Sequence, residues 1–374
     1  MKSGCVIKKL GEVCELINGK NQSEVANPSG KYPIYGSGGV MGRADDFRCP
    51  AGCTIIGRKG SINNPLYVTE PFWNVDTAYA LSPTGVESKF LYYFCLSFDF
   101  SKLDCGTTIP SLTSAIVKDV DMPIPPLPEQ KRIVAKIDAA FEKIDKLKAN
   151  AERNLANAKE LFQSALDEAM RPKKGWVEKR LGEHYTITSS KRVFKDQWKN
   201  SGVPFYRARE IVRLARDGYV DNELFISEEM FKEYGEKYGL PRVDDIMITG
   251  VGTLGVCYVV KEDDRFYFKD GNIIWLKKNS RELDSRFVEY CFLTDAVKKQ
   301  VHANHGTTVG TYTIEMAKAT VVYAPSIEEQ VSIANDCNLF RESFVRLQQN
   351  YTRQIADCAE MRQSVLRDAF EGRL

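Results

Sequence analysis

The sequence predicts a mixed α/β protein built twice, as two similar α/β domains in a pseudo-twofold arrangement joined by two long helices. Residues 106–170 lie over residues 306–370 at a constant shift of 200. Gly106-Thr107-Thr108 falls on Gly306-Thr307-Thr308, Pro125 on Pro325, and Glu129-Gln130 on Glu329-Gln330. Residues 128–170 and 327–370 have no internal Pro or Gly and are rich in strong helix formers. Both segments carry apolar residues at alternating four- and three-residue spacing. Such a doubled chain suits a partner that is itself nearly twofold, and duplex DNA is the commonest one.

Four segments follow in order. Residues 1–127 form the first domain, with short apolar runs such as Cys53-Thr54-Ile55-Ile56 between Gly, Pro, Asn and Asp. Pro123, Pro125, Pro126 and Pro128 stiffen the entry to a helix over 128–171, which Pro172 and Gly175 terminate. Residues 172–326 form the second domain, with strand-like runs such as Val256-Cys257-Tyr258-Val259-Val260. Pro325 leads into the last segment, 327–374, whose helix ends at Gly372. Between the domains the frame repeats while the loops differ. Leu10-Gly11-Glu12 matches Leu181-Gly182-Glu183, and Gly60-Ser61-Ile62 matches Gly252-Thr253-Leu254. The change of shift between such matches, from 171 to 192, places an insertion of 21 residues within 207–245.

The helix seam is expected at Ile133, Ile137, Ile144, Leu147 and Leu161, with Ile333, Phe340, Phe344, Leu347, Tyr351 and Met361 on the second helix. Alanines join the first series and aromatics the second, so small against large favours pairing of the two helices with each other. About 40 residues at ~1.5 Å each make a rod of roughly 60 Å. Asn154 and Gln354 interrupt the seam at one repeat position, as register-setting residues or as contacts for an outside partner.

Composition narrows the function. No apolar run approaches the ~18 residues of a membrane span. The start, Met1-Lys2-Ser3-Gly4-Cys5, lacks the apolar core of a signal peptide, so a cytoplasmic location is expected. Ten scattered cysteines read as buried thiols, and no metal site is expected. Three histidines leave little for His-based acid–base chemistry, and no Walker loop or nucleophile elbow occurs. Asn64-Pro65-Leu66-Tyr67 lacks the second proline of an amino-methyltransferase box, and no cofactor-binding motif precedes it. The acid pair Asp244-Asp245, set among turn residues, reads as a solvated loop. No catalytic residue is assigned.

What remains is polar and basic. The Gly-Thr-Thr turns with Thr107, Thr108 and Ser111, and with Thr307, Thr308, Thr311 and Tyr312, offer amide and hydroxyl groups that suit phosphate oxygens and equally cap a turn. Residues 171–225 carry 13 Lys and Arg against 7 Asp and Glu. Candidate DNA contacts there are Lys191, Arg192, Arg207, Arg209 and Arg213, joined elsewhere by Lys20, Arg43, Arg58, Lys59 and Thr253. The formal net charge of the whole chain is only +2, so tight binding is expected to need basic partners.

The chain resembles the DNA-specificity subunits of type I restriction–modification systems. The likeness rests on Leu10-Gly11-Glu12, Tyr32-Pro33-Ile34-Tyr35-Gly36-Ser37-Gly38-Gly39 and Gly106-Thr107-Thr108-Ile109-Pro110-Ser111-Leu112. Its strongest part is Pro125-Pro126-Leu127-Pro128-Glu129-Gln130 opening a long helix. In the second half, Ser326-Ile327-Glu328 and Val309-Gly310 depart from that pattern. The resemblance implies two target-recognition domains joined by two antiparallel helices in a coiled coil, each domain reading one half of a split, asymmetric DNA target. It also implies docking of two modification (methyltransferase) subunits on the helices, with restriction (translocase/nuclease) subunits joining them. S-adenosylmethionine, ATP and Mg then belong to those partners, and this chain is non-catalytic. The competing expectation is a protein-interaction scaffold with no nucleic-acid role.

Overall fold

A computed structural model describes residues 4–303 and 310–374. The chain divides into two compact units, Met1–Asn154 with Tyr351–Leu374, and Leu155–Asn350. The first unit runs β1 (Val6–Lys9), α1 (Leu10–Val13), β2 (Cys14–Asn18), β3 (Tyr32–Gly36), β4 (Gly39–Ala44), β5 (Cys53–Gly57), β6 (Leu66–Val68), β7 (Trp73–Asn74), β8 (Ala78–Pro83), α2 (Ser88–Ser97), α3 (Ser114–Lys118) and β9 (Asp121–Ile124), then enters α4 (Leu127–Ala169). Its sheets are ordered β2-β8-β5-β6, β4-β3-β7 and β1-β9. Every residue of the inner strand β5 is buried, in keeping with a run that is apolar but for Thr54.

The second unit runs β10 (Val177–Arg180), α5 (Leu181–His184), β11 (Tyr185–Thr188), β12 (Val203–Tyr206), α6 (Ala208–Asp217), β13 (Phe225–Ile226), α7 (Glu228–Tyr238), β14 (Ile246–Thr249), β15 (Cys257–Val259), β16 (Tyr267–Phe268), β17 (Ile273–Lys278), α8 (Ser285–Leu293), α9 (Asp295–Val301), α10 (Ile314–Ala319) and β18 (Val321–Ala324), then α11 (Ile327–Phe370). Its sheets, β11-β17-β14-β15, β13-β12-β16 and β10-β18, repeat those of the first unit strand for strand. The one parallel pairing of each three-stranded sheet also recurs, β3 with β7 and β12 with β16. Helices α6 and α7 have no counterpart and occupy the predicted insertion. Where α6 stands, the first unit has only the Ser37–Gly38 turn between β3 and β4.

The repeat extends to single hydrogen bonds. Leu10 N donates to Val120 O at 2.9 Å, and Leu181 N to Thr320 O at 3.0 Å. Glu87 caps α2 through Phe90 N, and Asp284 caps α8 through Phe287 N. Thr113 and Thr313 cap α3 and α10 in the same way. Gln130 and Gln330 are both buried, and each ties the start of a long helix to the cap of a shorter one.

Within each unit the long helices pack antiparallel. In the first, Arg132 Nη2 donates to Leu374 O at 2.9 Å, while further along α4 Asp145 pairs with Arg362. In the second, Phe162 stacks on Phe344 at 4.9 Å, while further along α4 Leu166 and Met170 share a core with Ala334 and Cys337. Full burial of a side chain such as Ile137 contributes about 1.5–3 kcal/mol.

The seam differs from the predicted one by a change of phase. Ile133, Ile137 and Ile144 are buried, and Ile333, Phe344 and Tyr351 are half-buried. Leu147, Leu161, Phe340, Leu347 and Met361 are exposed, Leu161 at 69%. Asn154 and Gln354 are exposed as well, so neither breaks an apolar interior. Coverage falls instead on residues one further along, Leu155, Phe162, Arg341, Gln348, Ile355 and Arg362, and on Phe141 next to Ala140. Arg362 lies over the Phe141 ring at 4.3 Å and Arg341 over Tyr290 at 4.4 Å. A pattern of apolar letters passes over long polar side chains that bury their stems, and selects the neighbouring Leu, Met or Phe.

Eight of the ten cysteines are buried. Burial pushes the Cys14 and Cys49 thiols up to about 12. Among the described residues, no helix is long and apolar enough to cross a membrane, and no group of three or more His, Cys, Asp or Glu is placed to hold a metal ion.

Candidate nucleic-acid interface

In the first unit two loops meet beyond β5 and before α3. Gly57 closes β5 where a Cβ would strike the Ser61 carbonyl at 2.2 Å, and Gly60 turns the chain at φ +82°. Arg58 O accepts Leu112 N at 2.9 Å, and Gly60 N donates to Pro110 O at 2.9 Å. The second loop is organised by Asp104, whose Oδ1 accepts Gly106 N and Ser111 N, both at 2.8 Å. Those two amides hold the Asp104 carboxyl below its usual range. The Ser111 hydroxyl donates to Ile109 O at 3.0 Å.

Arg58, Lys59, Thr107, Thr108 and Ser111 thus share one loop cluster, with all but Ser111 exposed. Arg58 Nη1 donates to Asp76 O at 3.1 Å. Lys20 flanks the same 74–78 turn, its amide donating to Asn74 O at 3.0 Å. Arg48, which sequence reasoning passed over, reaches Asn18 O through Nε at 3.1 Å. Arg43 stands apart and braces its own hairpin, with Nε donating to Gly30 O at 2.6 Å.

The second unit has the same loop frame with different chemistry. Tyr312 N donates to Gly250 O at 3.0 Å, the counterpart of the Leu112–Arg58 bond. Where the first unit has Arg58-Lys59-Gly60-Ser61, the second has Gly250-Val251-Gly252-Thr253. Both cations are gone, while the left-handed glycine remains at Gly252 with φ +73°. Thr253 is exposed, and its carbonyl accepts the Thr249 hydroxyl. Thr311 is exposed, but Tyr312 is not a surface residue. It is 2% exposed, with its hydroxyl 2.6 Å from Thr320 Oγ1 and its ring against Phe292. The aromatic ring fills the core place that Leu112 takes in the first unit, which corrects its assignment as a DNA contact. Thr307 and Thr308 lie outside the described residues.

Cations enter the second unit by other routes. Lys191 follows β11 as Lys20 follows β2, and its amide donates to Tyr267 OH at 3.1 Å. Arg192 pairs with Asp270 at 2.8 Å. Lys269, also missed from sequence, donates its amide to Tyr206 O at 2.8 Å, so it sits where β12 and β16 end side by side. Arg207 and Arg209 both bind Glu210, which is 2% exposed. Burial pushes the Glu210 carboxyl upward, but hydrogen bonds from Arg207 and Arg209 prevail and hold it below its usual range. Arg209 also pairs with Glu223. Arg207 is therefore first a clamp on α6. Arg213 is exposed on the same helix and makes no close ion pair among the described residues. Asp245, expected in solvent, is 4% exposed and accepts Trp275 Nε1 at 2.8 Å and Lys278 N at 2.9 Å.

Each unit thus presents polar loops and cations on a repeated scaffold, an arrangement suited to phosphate and base-edge contacts. Known proteins share the pattern. The model of the type I restriction modification DNA specificity domain matches residues 2–155 and 173–339. S.HindORF215P of Haemophilus influenzae, a type I restriction enzyme specificity subunit by name, is 25% identical over 345 residues, 89% of this chain and 86% of its own. The Escherichia coli EcoBI specificity subunit is 24% identical over 354 residues, 86% of this chain and 73% of its own. A solved chain from work on complex assembly and conformational transition of the type I R-M system aligns with a TM-score of 0.80 at 19% identity, over 100% of this chain and 99% of that one. With matched segments covering most of its length and the scaffold present twice, the chain belongs to the type I restriction–modification DNA-specificity family.

Proposed function

We propose that this chain is the DNA-reading, non-catalytic subunit of a cytoplasmic type I restriction–modification complex, each unit recognising one half of a split, asymmetric target. One observation carries the reading: the same three-sheet frame occurs twice, with Arg58-Lys59 on one copy replaced by Gly250-Val251 on the other. A shared frame with unlike loops suits two related but different half-sites. The length of α4 and α11 sets the unread gap. The exposed apolar residues Leu147, Leu161, Phe340, Leu347 and Met361 on the long helices offer contacts to two modification subunits. Restriction subunits join that complex. S-adenosylmethionine, ATP and Mg act on the partners, and the target adenine is flipped into a partner's active site.

The test is co-expression with the cognate modification subunit, followed by sequencing of methylated adenines. A two-part asymmetric motif with a fixed gap is expected. A continuous motif, or methylation independent of this chain, overturns the reading. Absence of salt-sensitive DNA binding by the complex favours a scaffold role.

A further inference from the structure

We propose that α6 is the base-reading helix of the second unit and that Arg213 makes a bidentate contact to a guanine in its half-site. The inference rests on the DNA-reading function above and deepens it. The scaffold does not require α6, because the first unit joins the equivalent strands by the two-residue turn Ser37–Gly38. Yet α6 is firmly seated. Glu210, Ile211 and Leu214 are buried, and Ile211 and Leu214 share a core with Met247, Tyr258 and Phe268. Its opposite face carries Arg209, Arg213 and Arg216, all exposed, at the i, i+4, i+7 spacing of a single helix stripe.

The chemistry of the stripe suits forked, bidentate contacts. All of its cations are arginines, whereas α7 and α9 of the same unit carry only lysines. A planar guanidinium forks onto guanine O6 and N7 as it does onto a phosphate, and its place on a helix fitted to the major groove assigns it to the base. Arg209 is held by Glu210 and Glu223, and Arg216 pairs with Asp217. Arg213 alone in the stripe makes no close ion pair among the described residues, although its charge acts on Asp217, one turn on. Lys191, Arg192 and Lys269 lie at the strand edge from which α6 departs, placed for the backbone contacts that position a helix in a major groove. An α-helix fits that groove.

The experiment uses the full chain with its modification subunit on a randomised DNA library, read by methylation sequencing. Both Arg213→Ala and Arg213→Lys are expected to relax a single guanine position in one half-site, with discrimination falling roughly 5- to 150-fold, and to leave the other half unchanged. Arg213→Lys keeps the charge and therefore the salt dependence of binding. Uniform weakening on all sequences by Arg213→Ala, with the salt slope lowered by about one and rescue by Arg213→Lys, makes Arg213 a phosphate contact and overturns the proposal. An unchanged motif in both variants overturns it too. If the unaltered complex selects no two-part motif, the underlying DNA-reading function fails, and this assignment with it.

Discussion

Gln130 Oε1 accepts the backbone amide of Glu87 at 2.8 Å while its Nε2 donates to Pro125 O at 2.9 Å. One buried amide thus joins the entry of α4 to the cap of α2. Gln330 does the same for α11 and α8, accepting Asp284 N at 2.9 Å and donating to Glu282 O and Pro325 O. Replacing either glutamine strands buried backbone groups. Gln130→Ala is expected to cost about 2–4 kcal/mol and Gln330→Ala more, because it leaves three partners unpaired rather than two. Denaturant melts of each variant check the order.

Asp104 organises the Thr107–Thr108 loop through one oxygen that takes two amides. Asp104→Asn can keep both bonds through its carbonyl, whereas Asp104→Ala cannot. Faster amide exchange at Gly106 and Ser111, with weaker DNA binding, is expected for the alanine variant only. The Asp104 carboxyl is depressed in the folded chain. Its contribution is therefore present above its unfolded pKa of about 3.9 and is lost as pH falls through the lower folded value. Exchange protection of the loop that weakened on raising the pH toward neutrality would contradict this.

The gap should follow helix length. Deleting one heptad from each helix, residues 144–150 and 344–350, removes about 10 Å of rise. The unread gap is expected to shorten by about three base pairs, at ~3.4 Å per step, with both half-sequences retained. A methylome showing the original gap rules the mechanism out.

Recognition should divide by domain. Transplanting residues 172–326 from a relative with another target is expected to change one half of the motif. Simultaneous change in both halves would show that the two copies do not read independently.

Exposed apolar residues on the helices should matter to partners rather than to folding. Leu161→Glu is expected to change stability by no more than about 0.5 kcal/mol, as at an ordinary surface position. It is expected to weaken capture of the modification subunit in a pull-down. Unimpaired capture by a combined Leu161→Glu and Phe340→Glu variant argues against docking there.

Much of this architecture is written in local chemistry. Prolines at 125, 126 and 128, glycines at 175 and 372, and helix-forming composition between them delimit α4 and α11 within a few residues. The shift of 200 that brings Gln130 onto Gln330 exposes the doubled frame, because a junction used twice keeps its residues. Which side of a helix is covered depends on what packs against it, and only the tertiary structure decides that. Leu161 faces water while Arg362 is sheltered over Phe141, since a long polar side chain buries its stem and satisfies its head. Tyr312 and Asp245 look like surface residues in their local context, yet the fold encloses one ring and gives one carboxylate three donors. The availability of a cation depends on both near and distant acids. Arg209 is held by its neighbour Glu210 and by Glu223, fourteen residues away, whereas Arg213 makes no such close pair among the described residues and acts on Asp217, one turn on, only through space.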